Sequence, residues 1–247
     1  MRTKAHGEYL IQLSYLFSIY NCYLVRDDDG FTLIDTGTPG SADDILAAAR
    51  EYGAPIVRVA VTHAHVDHMG SLDALHEALP EAEIAIGARE ARFLAGDTSL
   101  DPDEPQVEPR AMVRHRNGVV WREMETACAT QPTRLLHDGD VLGSLQVVAA
   151  PGHTPGHIVF FDPRGGTLIV GDAMQTAGGV AVAGTIRPTF PFPALATWHK
   201  PSALESARRM RALNPTRLAT GHGDVLEDPC AAMDRAIARA SRQGATR

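Results

Sequence analysis

The run Thr62-His63-Ala64-His65-Val66-Asp67-His68-Met69-Gly70 follows directly on an apolar stretch, Ile56-Val57-Arg58-Val59-Ala60-Val61. The stretch is dominated by β-branched residues and predicts a strand. Four side chains able to donate lone pairs then fall at its end. Alternate residues at a strand end point the same way, so His63 and His65 can approach one ion from a common side. Asp67 and His68 follow where the chain turns into a helix, and can be aimed at a neighbouring position. A catalytic metal site takes about three protein ligands plus an open position. A fold built on this strand must therefore bring further donors to its end.

Three later segments offer them, each a strand end followed by glycine or proline. Ala150-Pro151-Gly152-His153-Thr154-Pro155-Gly156-His157 supplies His153 and His157, Val170-Gly171-Asp172-Ala173 supplies Asp172, and Thr220-Gly221-His222-Gly223-Asp224 supplies His222. One histidine of the first segment, with Asp172 and His222, brings the donors to seven, enough for a two-metal centre. The remaining histidines His6, His76, His115 and His137 lie outside any ligand pattern and read as surface residues.

Periodicity organises the rest. Strands are expected over 8–13, 20–26 and 31–35, with Asp27-Asp28-Asp29-Gly30 as a hairpin turn. A helix runs from Ser41 to Gly53, a strand over 56–61, a helix over 72–79 stopped by Pro80, a strand over 83–86 and a short helix over 89–94. Residues 97–126 show no period, and a stretch of that length predicts a lid or loop insertion. Strands resume over 133–136, 141–142, 145–150, 158–161 and 167–170. A Gly/Pro-rich crossing over 173–201 leads to a helix with a Ser202/Glu205 capping box, a strand over 217–220 and a last helix opened by Asp228-Pro229. Many strands are joined as hairpins, which favours an α/β arrangement of two stacked mixed sheets with helices on the outer faces.

Taken in order across residues 35–222, these motifs resemble those of the metallo-β-lactamase-fold hydrolases, in a small form with a single domain over 1–247. The resemblance implies the four-layer αβ/βα sandwich of that family. It implies His63, His65 and His153 on one metal, Asp67, His68 and His222 on a second, and Asp172 bridging them. Asp35 in Leu33-Ile34-Asp35-Thr36-Gly37 matches the family's strand-ending aspartate and would orient a ligand. His157 is then structural, because the family's motif uses its first histidine.

The chemistry expected of such a site is hydrolysis. Two divalent ions, offset by Asp67, Asp172 and a bridging hydroxide, leave about one positive unit to stabilise an oxyanion, and coordination lowers the pKa of water to about 7. The expected substrate is an ester, lactone or thioester, with Asp67 carrying the proton to the leaving group. The donors are all nitrogen and oxygen, which favours zinc and leaves iron and manganese open. Alternatives are a mononuclear-iron oxidoreductase like the persulfide dioxygenases, using the first site alone, and a phosphodiesterase.

Departures from relatives narrow the substrate. The chain ends soon after His222, without the glutathione-binding domain expected of glyoxalase II. Asp172 stands where the B1 and B2 β-lactamases carry cysteine, and Gln175 where quorum-quenching lactonases carry tyrosine. Leu16, Phe17, Met174, Gln175, Phe190, Phe192 and Trp198 are the candidate pocket walls, suited to an apolar acyl or lactone group.

Composition agrees. At 247 residues and 44% hydrophobic the chain can bury a sizeable core, and a net charge of -7 disfavours a nucleic-acid partner. Arg208, Arg209 and Arg211, and Arg235, Arg239 and Arg242, lie on amphipathic helices and read as solvated faces. No apolar run approaches the length of a membrane span, about 18 residues, and no signal-peptide core is present. Three cysteines, Cys22, Cys128 and Cys230, form no paired framework. A cytoplasmic enzyme with a small-molecule substrate and no membrane partner is expected, with a homodimer left open.

Overall fold

The computed structural model describes residues 1–107 and 128–244. The first half opens with strands β1 (Arg2–His6), β2 (Leu10–Tyr15), β3 (Tyr20–Asp27) and β4 (Gly30–Ile34). Helix α1 (Ala42–Glu51), strand β5 (Ile56–Val61) and helices α2 (Val66–Met69) and α3 (Leu72–Ala78) follow, then β6 (Glu83–Gly87), α4 (Ala91–Leu94) and β7 (Arg134–Leu136). The seven strands form one sheet in chain order, with β1 to β4 antiparallel and β4 to β7 parallel. Asp27 pairs with Gly30 across the predicted hairpin. A Cβ at Gly30 would stand 2.6 Å from the Pro55 carbonyl, so glycine is required there.

The second half contributes β8 (Val141–Leu142), β9 (Leu145–Ala149), β10 (Ile158–Asp162) and β11 (Thr167–Ile169). A small hairpin of β12 (Met174–Gln175) and β13 (Ala181–Val182) precedes helices α5 (Phe192–Leu195) and α6 (Lys200–Ala212), strands β14 (Arg217–Ala219) and β15 (Leu226–Glu227), and helix α7 (Cys230–Gly244). The second sheet has the order β15-β14-β11-β10-β9-β8, and β11 and β14 run parallel.

Strand alternation divides the core into three apolar layers. Tyr23, Val25 and Ile34 face Val147, Phe160 and Ile169 between the two sheets. Leu24 and Leu33, on the opposite face of the first sheet, pack under Ile45, Leu72 and Leu75 of the helices. Val159 and Leu168 of the second sheet are covered by Ala207, Met210 and Met233. The result is the expected four-layer α/β sandwich.

Local details depart from the sequence reading. β1 pairs with β2 although its residues carry no apolar alternation, and His6 is buried against Gln12 at 3.1 Å rather than lying on the surface. Helix α6 starts at Lys200, before the proposed capping box, because the His199 ring accepts the Ser202 amide and Pro201 occupies the first turn. Arg208, Arg209 and Arg211 do form a solvated face, paired with Glu205, Asp138 and Asp234. Most of the expected 97–126 insertion lies outside the described residues. The described part is tied down by Arg89, 2.7 Å from Glu104, and by Arg92, 3.0 Å from Asp101.

Candidate metal centre

The candidate ligands, and Asp35 behind them, lie just beyond strand ends. Asp35 follows β4, His63 to His68 follow β5, His153 follows β9, Asp172 follows β11 and His222 follows β14. Parallel pairing aligns the carboxyl ends of β4 with β5, and of β11 with β14, so sharp turns deliver side chains from both sheets to one edge of the sandwich. Asp35 itself takes a left-handed conformation, φ 61°. Strain of this kind, about 1–3 kcal/mol, persists where surrounding contacts fix the residue.

Three groups of donors converge, each with its ligand atoms within 4.8 Å: His63, His65 and His153; His63, His68 and Asp172; and Asp67, His68 and His222. Nε2 of His63 and Nε2 of His153 both stand 3.0 Å from Nδ1 of His65. Ligands about 2.0–2.1 Å from one tetrahedral ion are about 3.3 Å apart, so this is the spacing of one coordination shell. Asp172 lies between the two triads, its oxygens 3.1 Å from His222 Nε2, 3.3 Å from His68 Nε2 and 3.4 Å from His153 Nε2.

The hydrogen bonds behind these atoms select the tautomer a cation needs. The Thr62 hydroxyl donates to Asp35, so His63 Nδ1–H donates to Thr62 Oγ1 at 3.1 Å and leaves Nε2 bare. The Thr197 hydroxyl donates to the Pro193 carbonyl, so His153 Nδ1–H donates to Thr197 at 3.2 Å. His68 Nδ1–H donates to Asp35 Oδ2 at 2.8 Å, and His222 Nδ1–H donates to the Ile19 carbonyl. Converging lone pairs repel without a cation between them, and the buried His68 Nε2 and Asp172 Oδ1, 3.3 Å apart, have partners only within this cluster among the described residues. The donor set therefore fits metal.

Electrostatics divide the ligands into two groups, histidines held neutral and histidines whose carboxylate neighbours favour positive charge at the site. Burial and neighbouring imidazoles hold His63 well below the usual histidine range, and burial does the same to His153, keeping both in the neutral form that binds metal. Burial also lowers His68, but Asp67, Asp35 and Asp172 outweigh it and raise the group well above its ordinary value. His222 is raised by Asp172 and Asp67 against the same burial. Asp172 is held well below the carboxylate range, because His222 and His68 outweigh its desolvation. His157 lies outside all three groups: its ring stacks on His63 at 4.8 Å and its Nε2 accepts the Asp172 amide at 3.3 Å.

The expected pocket residues separate. Met174 is fully buried in the layer with Leu168 and Met210, because the β12–β13 hairpin turns it inward. Trp198 is likewise buried, and its amide supports the His153 carbonyl at 2.9 Å. The Gln175 side chain donates to the carbonyls of Ala177 and Phe190, so its amide is spent on the backbone. Phe190 approaches the His222 ring at 5.2 Å, and Phe192, 59% exposed, packs on Phe190. Leu16 and Phe17 sit exposed at the β2–β3 hairpin tip, Phe17 at 88%.

Sequence reasoning missed Glu90, Thr62, Thr197 and Tyr20. Tyr20 meets the His222 ring edge-on at 5.8 Å. Glu90 is fully buried and accepts bonds from Ala64, Thr154 and Gly156, and burial pushes it up to about 7 against those bonds. Its sequence setting, Ala88-Arg89-Glu90-Ala91, reads as an exposed helix start. Only Gly87 and Gly156, which allow the chains to touch, carried a signal.

The layered fold with this His/Asp set is that of a metallo-hydrolase. The model of the metallo-beta-lactamase superfamily matches residues 16–222, and the chain belongs to that superfamily. It is 42% identical over 233 residues to the uncharacterized protein YobT of Bacillus subtilis (strain 168), covering 94% of this chain and 95% of that one. It is 29% identical over 202 residues to the hydroxyacylglutathione hydrolase of Rhodobacter capsulatus, covering 81% of this chain and 60% of the relative. The crystal structure of TTHA1623 in a di-iron-bound form superposes with a TM-score of 0.64 at 26% identity, covering 90% of this chain and 96% of that one. Fold and donor chemistry together imply divalent metal ions. Among the described residues no helix is long and apolar enough to cross a membrane.

Proposed function

We propose that the protein hydrolyses a carboxylic ester, lactone or thioester of a small molecule at a centre of two divalent ions. The observation that carries this reading is the pair of triads, His63/His65/His153 and Asp67/His68/His222, with Asp172 between them. Bound there, the ions supply Lewis acidity and a water whose pKa is lowered to about 7.

The side chains divide the remaining work. Asp172 sets the separation of the triads. Asp35 and Thr62 fix the rings of His68 and His63, and Thr197 fixes His153. Asp67 turns Oδ2 toward His222 Nε2 at 3.4 Å, and its carboxylate is the group that carries a proton to the leaving group in this reading. Phe190, Phe192 and the exposed Phe17 supply apolar surface for an acyl group. A groove of about 560 Å³ lined by Phe17, Ile19, Val180, Asp224 and Leu226 runs past Gly223, next to His222 in the chain.

Nitrogen and oxygen donors favour zinc, and the di-iron relative makes iron the competing assignment. The thioester arm draws support from the hydroxyacylglutathione hydrolase relative. A panel of esters, lactones, thioesters and phosphodiesters, assayed with zinc, manganese and iron in parallel, tests the reading. Turnover confined to carboxylic substrates is expected. Turnover of phosphodiesters alone, or of none of the panel, would overturn it.

A further inference from the structure

Glu90 is 0% exposed and lies outside every donor group, yet it bonds to both loops that carry the first triad. Its Oε1 accepts the amide of Ala64, the residue between His63 and His65, at 2.9 Å. Its Oε2 accepts the Thr154 hydroxyl at 2.9 Å and the Gly156 amide at 3.0 Å, both in the loop that carries His153. The two loops come from different sheets, one leaving β5 and the other joining β9 to β10. One carboxylate therefore joins them behind the ligands.

The close approach is built into the backbone. A Cβ on Gly156 would overlap the Glu90 backbone nitrogen and lie 2.7 Å from the Arg89 carbonyl carbon, and one on Gly87 would lie 2.6 Å from the Gly156 carbonyl oxygen. An ionised carboxylate only accepts, and here three donors meet it. Glutamine keeps the shape but turns an NH₂ group toward either the Ala64 or the Gly156 N–H, leaving one backbone donor unpaired. Burying a carboxylate is costly unless it is well bonded. Placing one here is explained by what it holds in register.

We propose that Glu90 is a positioning residue of the metal centre: it locks the His63/His65 loop to the His153 loop, holding their three ligand nitrogens at the spacing of one ion's coordination shell. This rests on the two-metal reading. Asp35 bonds the His68 ring and the Thr62 amide, whereas Glu90 bonds Ala64 and the His153 loop, so the two carboxylates hold different bonds of the site.

The test uses the full-length protein, stripped of metal and titrated with Zn²⁺ against a chromophoric chelator. The His222→Ala background isolates the first triad and the His153→Ala background isolates the second. Adding Glu90→Gln is expected to weaken zinc binding roughly 10–100-fold in the first background, the usual effect of removing a partner behind a ligand, and to leave the second unchanged. Asp73→Asn breaks a comparable carboxylate clamp, onto Cys128, Ala129 and Thr130, and is expected to lower Tm without changing zinc affinity. Equal affinity with and without Glu90→Gln in the first background, or equal losses in both backgrounds, would overturn the proposal. If Glu90→Gln does not fold, Thr154→Val carries the test by removing one donor: a smaller loss confined to the first triad supports the proposal, and unchanged binding overturns it. Wild-type protein binding less than one equivalent would overturn the two-metal reading itself, whereas two tight ions retained by Glu90→Gln would overturn only the role of Glu90.

Discussion

His68 Nδ1 donates to Asp35 Oδ2 at 2.8 Å with both side chains buried, and this bond decides which nitrogen of His68 faces the other donors. The same carboxylate accepts the Thr62 amide at 2.7 Å, so one residue fixes a ligand ring and the turn that carries two more. Asp35→Asn tolerates the left-handed backbone but puts an amide donor where either His68 or the Thr62 amide needs an acceptor. Zinc affinity is expected to fall roughly 10–100-fold with Tm little changed. Titration against a competing chelator checks it, and wild-type affinity in the variant would contradict the role.

Gly221 is a second pressure point. A Cβ there would stand 2.5 Å from His68 Cε1 and 2.7 Å from Asp172 Oδ1, so even alanine pushes two candidate ligands apart. Gly221→Ala is expected to cost about 1–3 kcal/mol of stability, as overpacking does, and to lose one bound ion. Thermal unfolding and elemental analysis read the two effects separately.

Phe190 tests the apolar side of the site. Its ring lies 5.2 Å from the His222 ring and 5.4 Å from that of Phe192. If Phe190 contacts the acyl group in ground and transition states alike, Phe190→Ala raises KM by about tenfold with kcat held. A fall in kcat at constant KM would place the residue in support of His222 instead.

Asp73 gives a pH dependence outside the donor groups. Desolvation raises its pKa, and donors from Cys128, Thr130 and Ala129 together outweigh that and lower it from 3.8 to about 2. A carboxylate lowered on folding adds stability that is complete above about 3.8 and lost as pH falls through about 2. The shift corresponds to about 2.4 kcal/mol at most. The side chain is exposed, and solvent screening reduces that to about 1 kcal/mol. Asp73→Asn should therefore lower stability by about 1 kcal/mol at pH 7, with the difference vanishing near pH 2. Denaturant unfolding of the metal-free protein at both pH values checks it.

The parts of this fold that announce themselves in sequence are those with a local period or a local motif. The continuous apolar run Cys22-Tyr23-Leu24-Val25 marks a strand buried on both faces, and the histidine run marks the end of β5. What stayed hidden depends on contacts between distant segments. β1 pairs through its backbone, so its side chains need show no pattern. Met174 and Phe190 are both apolar residues in one Gly/Pro-rich crossing, and only the β12–β13 hairpin sends the first into the core while leaving the second beside His222. Glu90 is invisible for the same reason: a charged residue at a helix start reads as solvated until two glycines bring the neighbouring loop against it.

The central claim is that His63, His65 and His153 hold one ion while Asp67, His68 and His222 hold a second. Elemental analysis of zinc-loaded protein after removal of loosely bound metal, run beside His222→Ala and His153→Ala, tests it most directly. Two equivalents in the wild type and about one in each variant, with hydrolysis largely lost in both, are the results expected. Less than one equivalent in the wild type, or His222→Ala retaining both its second ion and its activity, would contradict the account.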